Sequence, residues 1–77
     1  MAAPALPDFD ELALELVHLE HRVRDVERRL VKAQDRQTAF PNVVTERHVA
    51  SLTAELAQTR AAMDAIRAQL VPIMRRR

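Results

Sequence analysis

The sequence predicts an all-α protein, an antiparallel coiled-coil hairpin of two long helices, and three observations carry that prediction. Phe9, Leu12, Leu16, Leu19, Val23, Val26, Leu30 and Ala33 are spaced alternately three and four residues apart, the a and d seam of a heptad helix. Val49, Leu52, Leu56, Thr59, Met63, Ile66, Leu70 and Ile73 repeat the spacing. Between the two series stand Pro41 and Asn42, residues suited to a reversal. If the chain folds back there, each member of the first series faces a member of the second whose number completes a sum of 82: 33 with 49, 30 with 52, 26 with 56, down to 9 with 73. Every a position then meets a d position, which antiparallel packing requires and parallel packing does not.

The elements follow in order. Residues 1–7 hold two of the four prolines among small residues and read as a flexible N-terminal tail. Asp8 can accept from the free amides of a first turn while Glu11 reaches back, so helix 1 is expected from residue 8. Its apolar stripe runs unbroken to Ala33, with Gln37 at the next seam position, and the ring of Pro41 forces Phe40 out of the helical region. Helix 1 is therefore expected over 8–39 and the turn over about 40–44. Either Asn42 or Thr45 can cap helix 2, with Glu46 favourable near its positive end. Pro72 lacks an amide proton and its ring crowds the carbonyl of Ala68, which places the end of helix 2 near residue 71. The hairpin domain thus spans 8–71, with 72–77 as a basic C-terminal tail.

The charges beside the seam suit the same register. In an antiparallel pair g positions face g and e positions face e, which places Arg29 by Glu55 and Glu20 by Arg60. Residues 8–20 carry Asp8, Asp10, Glu11, Glu15 and Glu20 with no Lys or Arg, and residues 67–77 carry Arg67, Arg75, Arg76 and Arg77 with no acid. The hairpin brings these blocks to one end, where each also opposes its own helix dipole.

Composition narrows the function. A core drawn from 77 residues rarely supplies more than about 3 to 5 kcal/mol, so a partner is an expected source of added stability. With no Cys, Gly, Trp or Tyr, the chain lacks thiolate ligands, a phosphate-cradling glycine loop and most aromatic platforms. The formal charge of +1 creates no overall field for nucleic acid or an anionic membrane. No apolar run approaches the roughly 20 residues of a membrane helix, and Met1 to Pro7 lack a secretory pattern, so a cytoplasmic location is expected. Glu15 and His18 stand at a Glu-x-x-His spacing, with His21 one turn on. In this register Glu15 flanks the seam, the two histidines point outward and helix 2 offers no matching step. No metal or cofactor site is assigned. His48 beside the seam reads as solvated, and no Ser, Thr or Lys has an activating base, so no catalytic residue is assigned and no enzyme is expected.

Two groups of residues are candidates for binding. Ala50, Ala54, Ala57, Ala61 and Ala68 form a small-residue stripe turned away from the seam, and Leu14 and Val17 lie off the seam on helix 1, where Leu6 and Val71 can join them. Together they suggest an interface for a second copy or a larger protein, and a homodimer forming a four-helix assembly is expected. Arg22, Arg24, Arg28, Arg29, Lys32 and Arg36 crowd the turn-proximal half of helix 1, diluted by Asp25, Glu27 and Asp35. They are the candidate phosphate contacts of the alternative reading, a nucleic-acid-binding hairpin dimer. The favoured reading is a non-enzymatic interaction module, a scaffold, adaptor or small chaperone-like subunit.

Overall fold

The computed structural model describes the backbone of residues 9–75 and the side chains of residues 9–72. It is an all-α hairpin, helix α1 from Phe9–Ala39 and helix α2 from Val43–Arg75, packed against each other along their length. The expected tail, residues 1–7, and the capping residue Asp8 lie outside the described residues, as do Arg76 and Arg77.

The seam is where the apolar spacing places it. Leu12, Val26, Ala33, Leu52, Leu56, Thr59, Met63, Ile66 and Leu70 are buried, and Phe9, Leu16, Leu19, Val23, Leu30 and Val49 are half-buried. The side chain of Ile73, expected opposite Phe9, lies outside the described residues. The seam extends one layer toward the turn, where half-buried Gln37 comes level with buried Thr45.

Packing divides into two clusters. Near the turn, Val26, Ala33, Leu52 and Leu56 form a buried core flanked by Val23, Leu30 and Val49. It contains three of the complementary pairs, including Val26 with Leu56, and Val26 is only 1% exposed. At the open end, Leu12, Ile66 and Leu70 pack with Phe9, Leu16 and Leu19. Between them sits Thr59, whose hydroxyl donates to the Glu55 carbonyl at 2.8 Å, so its burial leaves no polar atom unpaired.

The turn closes through a reciprocal cap. Asn42 Oδ1 accepts from the Thr45 amide at 3.0 Å, and the Asn42 amide donates to Thr45 Oγ1, also at 3.0 Å. Asn42 is therefore the N-cap, and Thr45 takes the return role that Glu or Gln fills in the usual capping box. Asn42 Nδ2 also donates to the Phe40 carbonyl at 3.1 Å, so one side chain satisfies groups on both arms of the turn. With Asn42 as cap, α2 begins at Val43, two residues before the expected start.

The end of α2 corrects the sequence reading. The helix runs through Pro72 to Arg75 instead of ending at Val71, so most of the expected 72–77 tail is helical. The only backbone bond that Pro72 itself removes is its own amide link to Ala68, close to the end of the helix where few later bonds depend on it.

Leu56→Ala is expected to destabilise the fold by about 2 to 5 kcal/mol, comparable with the whole stability of so small a core. Arg29→Ala should cost less than about 1 kcal/mol, and thermal melts of the two variants check the ordering. In the same melts Asn42→Ala should cost about 1 kcal/mol through loss of the cap.

Candidate interaction surface

With the seam closed, each helix presents two flanks and a back. The g flank of α1 carries Arg22 and Arg29 and that of α2 carries Glu55, while the e flanks carry Glu20 and Glu27 on α1 and Arg60 on α2. Arg22 Nη2 lies 3.2 Å from Glu55 Oε1, and Arg60 Nη2 lies 3.0 Å from Glu27 Oε1. Among the described residues, one ion pair therefore bridges the helices on each side of the seam, g to g and e to e.

The partners differ from those expected. Glu55 meets Arg22 instead of Arg29, and Arg60 meets Glu27 instead of Glu20. Arg29 is held within its own helix by Asp25 at 3.1 Å, an i,i+4 contact nearer than the opposite helix. Each observed bridge is offset by five residues from its level partner, about 7.5 Å along the axis, a span that the long arginine side chain covers. Arg22 is level with Arg60 and Glu27 with Glu55, so the two bridges cross the same stretch of seam symmetrically. That stretch contains the Val23 and Thr59 layer, where the apolar core is thinnest.

At the open end, Arg67 contacts Asp64 one turn back on its own helix at 3.6 Å. The side chains of Arg75, Arg76 and Arg77 lie outside the described residues, and so does their expected pairing with the acidic block.

Every candidate interface residue is exposed. Leu14 and Val17 are 58% and 45% exposed on the outer surface of α1, and Ala50, Ala54, Ala57, Ala61 and Ala68 line the back of α2. Four further exposed hydrophobics were not singled out in the sequence: Val31 on α1, and Phe40, Val43 and Val44 around the turn, the last 76% exposed. Val31 lies two heptads beyond Val17, so extending the heptad from the seam to the outer positions finds it. Val43 and Val44 were hidden by their assignment to the turn.

The candidate phosphate contacts do not form a single ridge. Arg22 is committed to Glu55, and Arg28 and Arg29 both lean on Asp25, at 3.9 and 3.1 Å. Arg24 and Arg28, with Glu27 and Val31, line a shallow outer cleft. Arg29, Lys32 and Arg36 gather with His48 from α2 around a cleft of about 180 Å³ on the opposite flank, joined by Val44 and Thr45 toward the turn. Glu15, His18 and His21 are exposed, and among the described residues no three His, Asp or Glu side chains converge as a metal site would need. No helix of the described residues is long and apolar enough to cross a membrane.

The fold places the chain in the class of all-α helical hairpins. Comparison with protein-family models, with curated proteins and with solved structures found no match.

Arg22→Ala and Arg60→Ala should each lower stability by less than about 1 kcal/mol, because both bridges are solvent-exposed. The loss should shrink as salt is raised toward 1 M in parallel melts.

Proposed function

We propose that this chain is a non-enzymatic protein–protein interaction module, a small scaffold, adaptor or chaperone-like subunit whose two helices form an antiparallel coiled coil. The observation that carries the reading is the set of large hydrophobics left in water after the seam is closed. Leu14, Val17 and Val31 on the outside of α1 take no part in holding the hairpin together. Isolated exposed apolar residues are ordinary, but three on one outer surface of a two-helix protein suit a docking patch for a larger protein. The polar residues around them give such a patch the mixed rim that transient interfaces carry.

A second reading has its own observation. The flank where Arg29, Lys32, Arg36 and His48 gather around one cleft has no acid among its lining residues, which suits the phosphates of a nucleic acid. The two readings separate by mutation. Leu14→Asp, Val17→Asp and Val31→Asp together should leave helicity intact and abolish binding to the protein partner that wild type retains from the native host. Lys32→Glu and Arg36→Glu, at positions that line that cleft and make no ion pair among the described residues, should leave that binding within about threefold. The opposite pattern, with binding to generic RNA or DNA that weakens steeply with salt, would reject the scaffold reading in favour of the nucleic-acid one.

A further inference from the structure

We infer that the back of α2 binds a second copy of this chain, antiparallel and in one defined register, so that two hairpins lie edge to edge with their α1 helices outermost. The inference goes beyond the interaction reading, which concerns the outer surface of the other helix. The back of α2 consists of the b and f heptad positions, spaced three and four apart like the seam itself. All of these residues, from Val43 to Val71, are exposed, and the large hydrophobics among them, Val43 and Val71, stand at the two ends.

What identifies the occupant is the pair of charges that interrupt this surface. Arg47 and Asp64 are its only ionisable residues. When α2 is laid antiparallel on itself with paired numbers summing to 111, every f position meets a b position, as every a meets a d in the seam. Val43 then comes level with Ala68 and Arg47 with Asp64, each pair occurring twice about the two-fold axis. Between them Ala50 faces Ala61 and Ala54 faces Ala57, small side chains that let the helix axes approach closely.

The alternatives fail on the same two residues. A register one heptad away sets Arg47 against Val71 and Asp64 against Ala54, leaving both charges unmatched at the contact. A parallel pair sets Arg47 against Arg47 and Asp64 against Asp64, with like charges opposed twice. Only the antiparallel register with a sum of 111 matches charge with charge. The contact of Asp64 with Arg67 on its own helix, at 3.6 Å and exposed, competes weakly.

The area suits a modest affinity. From Val43 to Ala68 the paired strip is about 38 Å long, and at about 12 Å wide two copies bury about 900 Å², the size of weak, transient interfaces.

Equilibrium sedimentation of the full chain and its variants tests the inference, with circular dichroism confirming that these surface changes leave helicity unchanged. Wild type should dimerise below about 300 µM, and Arg47→Asp and Asp64→Arg should each raise the dimer dissociation constant about 30-fold by turning two attractions into two repulsions. The double variant R47D/D64R restores both attractions with the signs exchanged, and it should return to within about threefold of wild type. A wild type that stays monomeric at 300 µM, single variants that dimerise like wild type, or a double variant no better than the singles would each overturn the inference. The docking patch of α1 lies on the other helix and is read by its own aspartate variants, so failure here leaves the interaction reading standing and failure there leaves this dimer standing.

Discussion

Among the described residues, the a and d positions of both helices all lie buried or half-buried between them, and the geometry of the hairpin depends on that shared seam. Because the side chains on one helix and the gaps on the other repeat at the same interval, a slip of one or two residues turns apolar positions into water and charged ones into the contact. The burial of Val26, Leu56 and Leu52 near the turn, and of Leu12, Ile66 and Leu70 at the open end, is the energetic consequence. Other features adjust to the seam. The Asn42 and Thr45 cap fixes where α2 begins, and so which residue of α2 meets Ala33, but its hydrogen bonds are all local. The crossed bridges from Arg22 to Glu55 and from Arg60 to Glu27 flank the layer where Thr59 replaces a hydrocarbon.

How much of this could be read from the sequence depended on the range of the interaction. The seam was legible because a period of three and four, repeated over two stretches, leaves little freedom in pairing once the turn is placed. The ion pairs were legible only by class. Which g meets which g depends on the length and direction of individual side chains, and on competition from neighbours such as Asp25, which takes Arg29 before Glu55 can. The continuation of α2 through Pro72 was not legible either, because a proline near a helix end costs one bond and the rule that predicts a stop describes helix interiors.

The candidate surfaces follow the same division. Leu14, Val17 and the alanines were visible as residues the seam does not use, since an apolar side chain outside both stripes has to be exposed in a two-helix protein. Val31 repeats Val17 at a spacing of two heptads, but it stands alone between the seam residue Leu30 and Lys32, so only the heptad carried around to the outer positions marks it. The arginines read in sequence as one ridge because sequence distance ignores direction. On the helix they divide between the g flank and the back, and three of them are engaged by acids. What the hairpin leaves exposed is therefore two apolar surfaces, one on each helix, and one cationic cleft, and the proposed function follows from which of these a partner occupies.

The most direct test of the account is the register of the seam in solution, read by nuclear Overhauser contacts between assigned methyl groups. The account predicts contacts from Val26 to Leu56 and from Leu12 to Leu70, with signals for these pairs persisting at concentrations where the chain is monomeric. Contacts from Val26 to Val49 or Met63 instead, a slip of one heptad, or no contact between the two halves of a monomeric chain, would contradict it.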